Sequence, residues 1–545
     1  MLARAESAAG GDATLTQPPA REGGRAPRIG AAALLLASSV MLSRVLGYVR
    51  EMILAWRSGA SAETDAFYAA FQIPDLLNHF LAGGALSIAF VPLYHRLRER
   101  EGEAGADRLV EEVLGTLGVL AIAATAVLFW HADSLVSLQF PRFASETQAL
   151  TTHLTRIVLP AQIFFLIGGI ANAVLLARES FLAAAVAPLV YNAGIIAGGL
   201  VLAPWIGIEG FAWGALAGSI AGPFLAPILL GRGTIALRPR FAPFGPHFRS
   251  YFVLAMPLLL GQTLLTVDEW YLRWFGALLG EGTVARLSYA RRLMLVPVAV
   301  VGQALAAAAL PTLSRLYAEG RHAELARTLL ATLRTGLGLA LLTAGACVAL
   351  AGPLVTLTFE RGAFGPADSA AVALLLAILS ASVPAWVVQQ IAVRDFYARR
   401  DTWRPMLLGT VVALAAIPLY LALGRSWGAS GLAFASAFAM TANALATLAL
   451  ARRLHGGPSL RLLGASAVRG LALASLAAGA AFGARAAWGV IGSADAAVDA
   501  FANLAVGSLA FAIVTALALP WLGDEPLRAG LGRLSARILR RRAAP

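Results

Sequence analysis

The sequence is poor in charged residues, which make up 13% of its 545 positions. A soluble domain has about 25% charged residues and about 45–50% apolar residues. Here 59% of the residues are hydrophobic, and the mean hydropathy is +0.73. This composition excludes an ordinary soluble domain and predicts a polytopic membrane protein.

Lysine is absent, so arginine supplies all the positive charge apart from histidine, and the net charge is +13. In a membrane protein such charge marks cytoplasmic loops, so we expect no nucleic acid partner.

The only cysteine, Cys347, excludes an intrachain disulfide. The sequence has no Walker A motif, and its seven histidines show neither HExxH nor Cys-His spacing. It therefore predicts no ATPase, no metal site and no cofactor, and no loop is long enough to indicate an enzyme.

Long apolar runs are what the sequence has in abundance. A membrane-spanning helix needs about 20 apolar residues, and about fourteen runs reach that length. Several runs are longer, which predicts tilted or kinked helices. The predicted class is an all-α polytopic membrane protein with about 14 transmembrane helices. In chain order, the runs lie near 29–56, 64–95, 109–130, 147–176, 181–204, 207–230, 250–278, 284–316, 325–357, 367–397, 403–424, 428–451, 462–488 and 496–521.

The distribution of arginine predicts which side of the membrane each loop occupies. Loops after even-numbered runs are rich in arginine, as in 96–108 and 232–249. Loops after odd-numbered runs are short and carry acids such as Glu63 and Glu281. The positive-inside rule places the arginine-rich loops in the cytoplasm. Both termini are therefore predicted to be cytoplasmic, and an even number of helices agrees.

An internal repeat relates the two parts of the chain. The segment ALSIAFVPLYHRL (85–97) aligns without gaps to ALAAAALPTLSRL (304–316), and an Ala-Arg pair ends runs 4 and 10 at nearly the same offset. This spacing predicts two pseudo-symmetric six-helix lobes with a substrate site between them, a common transporter plan. The predicted divisions are a disordered cytoplasmic tail at 1–28, an N-lobe at 29–231, a basic cytoplasmic linker at 232–249, a C-lobe at 250–454, helices 13 and 14 at 455–522, and a basic cytoplasmic tail at 523–545.

Charged and polar residues interrupt several of the apolar runs, most clearly in the stretch SRVLGYVRE (43–51) of run 1. A charge near the centre of a membrane helix costs roughly 2.5–3.5 kcal/mol, so it is expected to face a partner or a water-filled cavity. The candidates for a functional site are Arg44, Arg50 and Glu51 of run 1, Asp65, Asp75, Asn78 and His79 of run 2, Asp268, Glu269 and Arg273 of run 7, and Arg291 and Arg292 of run 8.

Two interpretations of these residues stay open. In the first, arginines of runs 1 and 8 line a cavity that binds an anion, because guanidinium groups bind phosphate in a bidentate manner. In the second, the charges pair among themselves. The candidate pairs are Arg44 or Arg50 with Asp65, Arg273 with Asp268 or Glu269, and Asp75 with His79 four residues further on.

Five segments resemble a known family. SRVLGYVRE and the following TDAFYAAFQIPDLLNHFLAGGALSIAFVPLY (64–94) resemble the opening of the MurJ/MviN family, the lipid II flippases of peptidoglycan synthesis. SYARRLMLVPVAVVGQALAAAALPTLSR (288–315) is similar to that family's helix 8. RGAFGPADSA (361–370) and DFYARRDTWRP (395–405) are similar to its helix 9–10 loop and the end of its helix 10. The resemblance implies the multidrug/oligosaccharidyl-lipid/polysaccharide exporter fold, a central cationic cavity, alternating access and a bacterial cytoplasmic (inner) membrane location.

The resemblance also implies roles for particular residues. Arg44, Arg50 and Asp65 match cavity positions of the family, and Arg292 matches the cavity arginine of its helix 8. The expected substrate contacts are Arg44, Arg50, Arg291, Arg292, Asn78 and His79, and the expected gating or ion-pair residues are Glu51, Asp65, Asp75, Asp268 and Glu269.

This chain departs from the family pattern at several positions. The family commonly has an arginine pair where this chain has Asn78 and His79, and Glu where it has Gly83. An Asp usually precedes the helix 8 arginine, and here Arg291 takes that position. We therefore expect that helix 2 has lost a cavity arginine and that Arg291 replaces it.

The predicted function is movement of lipid II from the cytoplasmic to the periplasmic leaflet. The alternatives are a flippase for another prenyl-pyrophosphate-linked oligosaccharide, a cation-coupled drug exporter of the same fold, and a membrane-embedded glycosyltransferase or scaffold. The expected partners are lipid II or a related undecaprenyl-pyrophosphate glycolipid, membrane lipid and cell-wall synthesis proteins. Coupling to the membrane potential or to a monovalent cation stays open.

Overall fold

The computed structural model confirms the all-α class. The described residues form α-helices, short π-helical segments and connecting turns, and none of them lies in a β-strand. Helix α1 begins at Arg25, inside the stretch predicted to be a disordered tail. Most of the two predicted tails, and Gly83, lie outside the described residues. The structure describes residues 25–81, 89–233, 238–260, 264–491 and 496–532.

The first half of the chain folds into eleven helices within the described residues. Two π-helical segments, Gly198–Leu202 and Ile220–Leu225, continue α8 into α9 and α10 into α11. The helices are α1 (Arg25–Ser58), α2 (Ala62–Ala70), α3 (Gln72–Leu81), α4 (Val91–Trp130), α5 (Ala132–Gln139), α6 (Ser145–Val158), α7 (Ala161–Ala177), α8 (Leu182–Ala197), α9 (Ala203–Ile206), α10 (Glu209–Ser219) and α11 (Ala226–Leu230).

The second half contains longer helices, and one π-helical segment, Val298–Gln303, joins α14 to α15. Its described helices are α12 (Pro246–Leu260), α13 (Leu264–Gly276), α14 (Thr283–Pro297), α15 (Ala304–Ala318), α16 (His322–Phe359), α17 (Pro366–Ser380), α18 (Val383–Ala398), α19 (Trp403–His455), α20 (Leu460–Ile491) and α21 (Ala496–Leu522).

Fewer helices than apolar runs meet a strict criterion of length and composition for crossing a membrane. Among the described residues, nine helices are long and apolar enough to cross a membrane, or ten if the bent pair α17–α18 is one span. Helix α19 contains both run 11 and run 12. Its 53 residues would extend about 80 Å at 1.5 Å per residue, but it breaks at Gly428, whose φ is 58°. Run 7 is divided between two shorter helices, α12 and α13, and the described part of run 2 is divided among α2, α3 and the start of α4.

The main hydrophobic core joins the two halves of the chain. Tyr289 of α14 lies between Tyr68 of α2, with 6.0 Å between ring centroids, and Phe359 of α16, at 4.9 Å. All three rings are buried. Aromatic pairs of this kind add about 0.5–1.5 kcal/mol each beyond the burial of their area. The contact therefore fixes α14 against the first half at one end of the bundle.

A second core packs α12 onto the first half of the chain. Phe248 and Tyr251 of α12 are buried together with Tyr94 of α4. The end of the basic linker that leads into α12 is bound to α4. The carboxylate of Glu112 accepts the backbone N–H groups of His247 (3.1 Å) and Phe248 (2.9 Å), which would otherwise lack partners at a helix start. Helix α12, which the repeat assigns to the C-lobe, thus packs against a helix of the first half of the chain.

The last two long helices pack against α16. Leu473 of α20 and Leu527, which follows α21, share a small core with Leu342 of α16. Arg334 of α16 donates to Asp524, with 3.0 Å between Nε and Oδ2, and this pair anchors the chain just after α21. Helices α20 and α21 are therefore joined to the rest of the second half through α16.

Candidate substrate cavity

A cavity of about 180 Å³ lies between the two halves of the chain. Helices α1, α2, α3 and α8 line it from the first half, and α13 and α14 line it from the second. The lining residues are Arg50, Glu51, Phe67, Tyr68, Phe71, Asp75, Tyr191, Ile195, Glu269, Arg273 and Arg292.

One side of the cavity consists of a carboxylate held between two arginines. The Oε1 atom of Glu51 accepts a hydrogen bond from Arg50 (2.6 Å) and lies 3.3 Å from Nε of Arg292. The Tyr68 hydroxyl donates to the other oxygen, Oε2. Glu51 is 1% exposed, whereas 39% of the Arg292 side chain is exposed. With all groups ionised, this Arg50–Glu51–Arg292 group has one surplus positive charge.

A second group in the lining has the reverse arrangement, with one arginine between two carboxylates. Arg273 binds Oδ2 of Asp75 at 2.9 Å and Oε1 of Glu269 at 2.5 Å. The sequence offered His79 as the partner of Asp75, but the structure pairs Asp75 with an arginine from the other half of the chain. The Asp75–Arg273–Glu269 group has one surplus negative charge.

The cavity lining is therefore balanced in charge, with three arginines and three carboxylates. The family resemblance implied a cationic cavity, whereas arginine is in excess only in the Arg50–Glu51–Arg292 group of this lining. The physical reason is that an isolated charge in a low-dielectric interior is costly, and a nearby opposite charge with good hydrogen-bond geometry reduces that cost.

Arg44 lies on α1 but does not line this cavity. Its guanidinium donates to the side-chain oxygen of Gln303, in the π-helical segment of the second half. Arg50, two turns further on, also donates to Asn192 of α8 at 3.3 Å. Helix α1 continues without a break through Gly47. Helical rotation alone therefore directs Arg44 and Arg50 to different neighbours.

Asp65 contacts a helix end and no arginine. Its Oδ1 accepts the backbone N–H of Ala285 at 2.7 Å, in the first turn of α14, and the residue is 1% exposed. A carboxylate at a helix N-terminus satisfies a free N–H group and interacts favourably with the helix dipole. The pairing of Asp65 with Arg44 or Arg50 that the sequence allowed is therefore not formed.

Arg291 and Asp268 form a buried ion pair beside the cavity. Arg291 donates to Oδ2 of Asp268, and both side chains are almost fully buried, at 6% and 2% exposed. The Tyr420 hydroxyl donates to Oδ1 of Asp268 at 2.5 Å, and the Arg291 guanidinium lies 5.3 Å from the Trp386 ring. Arg291 thus has an acidic partner that its own sequence neighbourhood did not reveal.

Asn78 and His79 do not line the 180 Å³ cavity. The His79 ring packs edge-on against Trp270 of α13, with 6.1 Å between centroids. Among the described residues, no group of three or more His, Cys, Asp or Glu side chains could hold a metal ion.

Loops from the two halves of the chain also contact each other. We call the contact of residues 56–65 with residues 282–289 and 361–364 the loop seal. In it, the N–H of Ala363 donates to the carbonyl of Trp56 at 2.9 Å. A Cβ atom at Gly59 would lie 2.5 Å from the oxygen of Ala363, and one at Gly282 would lie 2.2 Å from that of Ala60. These loops follow runs 1, 7 and 9, which the arginine distribution predicts to be periplasmic.

Sequence reasoning missed several uncharged residues of this region. Tyr68 and Tyr191 line the cavity, Asn192 holds Arg50, and Gln303 holds Arg44. Each lies in a long apolar run, where a polar side chain without a charge is too common to indicate a site. Asn192 could have been identified from the sequence, because a buried amide in a membrane helix requires hydrogen-bond partners.

Comparisons with known proteins place the chain in a family. The model of the family described as lipid II flippase MurJ matches residues 55–494. The probable lipid II flippase MurJ of Rhizobium meliloti (strain 1021) is 31% identical over 431 residues, which are 77% of this chain and 80% of that protein. The lipid II flippase MurJ of Burkholderia cenocepacia is 30% identical over 396 residues, which are 70% of this chain and 76% of that protein.

Solved structures share the fold. A structure described as lipid II flippase MurJ in an inward closed conformation superposes with a TM-score of 0.73 and 21% identity, covering 90% of this chain and all of that one. A multidrug resistance transporter of the MATE family, inward-facing, superposes with a TM-score of 0.65 and 14% identity, covering 78% of this chain and 98% of that one.

Proposed function

Because the chain belongs to the lipid II flippase MurJ family, we propose that it moves lipid II from the cytoplasmic to the periplasmic leaflet of a bacterial cytoplasmic membrane. The observation that carries this proposal is the Arg50–Glu51–Arg292 group. Two guanidinium groups from different halves of the chain converge there on one carboxylate beside a cavity.

The Glu51 carboxylate lies where an anionic substrate group would bind, between Arg50 and Arg292. A phosphate oxygen binds guanidinium with the same geometry as a carboxylate oxygen. A pyrophosphate has more acceptor oxygens than Glu51, so it offers both arginines more hydrogen bonds. We propose that the pyrophosphate of lipid II displaces Glu51 from Arg50 and Arg292, and that Glu51 recovers them when the substrate leaves.

The cavity in this conformation is too small for the head group of lipid II. Sites for drug-sized ligands measure about 300–1,000 Å³, whereas this cavity measures about 180 Å³. The glycopeptide part of lipid II would therefore need a more open state. In the proposed cycle, the two halves separate at the end opposite the loop seal to admit lipid II, and the loop seal opens to release it. Such a cycle needs a substrate that binds one state better than the other.

Arg292 links the two halves of the chain in this conformation. Its side chain binds Glu51 of α1, and its backbone carbonyl accepts the Tyr48 hydroxyl at 2.7 Å. Arg44 makes a further link between α1 and Gln303. We propose that pyrophosphate replaces the side-chain link and keeps the two halves together while it is bound. Both termini are proposed to be cytoplasmic, as the arginine distribution predicts.

Complementation tests the proposal. The gene is expressed in bacteria from which the resident lipid II flippase can be depleted, and growth is followed after depletion. We expect growth and normal cell shape to be restored. Normal membrane levels of the protein without any rescue would contradict lipid II transport. In that case, the same test in cells lacking a flippase for another prenyl-pyrophosphate-linked oligosaccharide examines the alternative substrate.

The variant Glu51→Gln is expected to bind lipid II more tightly and to transport it more slowly. The amide removes the negative charge that competes for Arg50 and Arg292, and it keeps the size of the side chain. A gain of about 1.4 kcal/mol would be a tenfold tighter Kd. Binding to purified protein in nanodiscs measures the affinity, and rescue of depleted cells measures transport. Weaker binding in this variant would contradict the role of Glu51 as the competing anion.

A further inference from the structure

The buried ion pair of Asp268 and Arg291 has no part in the proposed binding of pyrophosphate. Arg291 is 5% exposed and Asp268 is 1% exposed. The pair joins α13 to α14, the Tyr420 hydroxyl attaches it to α19, and the Trp386 ring of α18 covers the guanidinium. Four helices of the second half therefore meet at one polar centre.

Each member of this pair is followed in the sequence by a residue that lines the cavity. Glu269 follows Asp268 on α13, and Arg292 follows Arg291 on α14. Successive residues of an α-helix point about 100° apart. When residues 268 and 291 are bound to each other, the directions of residues 269 and 292 are fixed as well.

A buried ion pair is a poor source of stability, because desolvation of the two charges offsets much of their attraction. Its best-attested use is to fix the register of packed helices. Here an apolar contact would allow α14 to rotate or slide against α13 at little cost. The ion pair allows only the register in which the two charges meet.

We propose that Asp268 and Arg291 are positioning residues, which fix the register of α14 so that Arg292 points into the cavity. This inference rests on the proposed function, in which Arg292 binds the pyrophosphate of lipid II. It gives Arg291 a different role from the direct contact that the sequence predicted.

The variant Asp268→Asn separates positioning from direct binding. If Arg291 were a ligand, loss of the neighbouring negative charge would leave the affinity for an anionic lipid unchanged or increase it. If the pair positions Arg292, Asp268→Asn should weaken the binding of lipid II in nanodiscs about tenfold. Arg291→Gln should weaken it by a similar factor. The double variant should be no weaker than either single one, because both remove the same interaction.

Two further variants make this test independent of folding defects. Tyr420→Phe removes the hydroxyl that donates to Asp268 and keeps the buried ring, so it should keep the thermal midpoint and weaken binding about threefold. Asp395→Asn is the matched control. Asp395 is also a buried carboxylate, bound to Arg399 (3.0 Å) and His455 (2.7 Å), but it does not line the cavity. Its loss should leave binding unchanged.

A readout without substrate completes the experiment. In a Cys347→Ala background, Arg292→Cys is labelled with a charged methanethiosulfonate reagent, with and without Asp268→Asn. We expect labelling to slow several-fold when the pair is broken, because position 292 turns away from the cavity. Unchanged labelling, or unchanged binding in both Asp268→Asn and Tyr420→Phe, would overturn the inference. If the wild type does not bind lipid II but labelling still slows, the positioning of residue 292 stands and the proposed function fails.

Discussion

Arg292→Ala should abolish the rescue of depleted cells and weaken lipid II binding more than any other single change in the cavity. Arg292 is the more exposed of the two guanidinium groups that converge on Glu51. Bound pyrophosphate would cover Arg292 and desolvate the pair, and removal of one partner from such a hydrogen-bonded charge pair costs about 2–5 kcal/mol. That range corresponds to a Kd about 30-fold to several thousand-fold higher. The measurements are growth after depletion and binding to purified protein in nanodiscs.

Two further variants test whether the loss of binding in Arg292→Ala is specific to this guanidinium group. Arg292→Lys keeps the charge but loses the planar fork of donors, so it should retain part of the affinity. Arg315→Ala removes an arginine from α15 that is 68% exposed and lies 4.0 Å from Glu319. It should bind and rescue like the wild type. Full activity of Arg292→Ala would contradict the role of the Arg50–Glu51–Arg292 group.

Gly282→Ala should also eliminate transport, by preventing the loop seal from closing. The φ of Gly282 is +74°, and an added Cβ would lie 2.2 Å from the carbonyl oxygen of Ala60. The backbone conformation alone costs about 1–3 kcal/mol for a residue with a side chain. The steric contact adds to this and acts only when the two halves meet. We expect no rescue and a lower thermal midpoint of the purified protein.

Gly456→Ala is the matched control for this substitution. Gly456 is also in the left-handed region, with a φ of +67°, but a Cβ there would meet nothing within 4 Å. It therefore carries the same kind of backbone strain without the contact across the loop seal. A modest fall in thermal midpoint with preserved rescue is expected. Equal loss of activity in both variants would show that strain, and not closure, explains the effect of Gly282→Ala.

The helices could be predicted from the sequence because their determinant is local. An apolar run of sufficient length becomes a helix in a membrane whatever its neighbours are, since the backbone must satisfy its own hydrogen bonds there. The break at Gly428 was visible as the boundary between runs 11 and 12. The docking of α12 onto α4 was not visible, because it depends on Glu112 meeting a helix start 135 residues away.

The charged residues that line the cavity could be predicted as candidates from the sequence, but their pairings could not. Arg50, Glu51 and Arg292 stood out because charge is rare in such runs. Which charges meet depends on how distant helices pack, as with Asp75 and Arg273, which are 198 residues apart. The sequence therefore indicated a cationic cavity, whereas the packed helices give each arginine of the lining a carboxylate partner.

Movement of lipid II between leaflets is the most direct test of the account. The purified protein is reconstituted into vesicles that contain lipid II, and an enzyme that acts on the exposed head group reports the fraction in the outer leaflet. Wild-type protein should make almost all the lipid II accessible, whereas vesicles with Arg292→Ala should expose only the fraction initially outside. Equal accessibility with wild-type protein and Arg292→Ala, or no change with either, would contradict an arginine-dependent lipid II flippase.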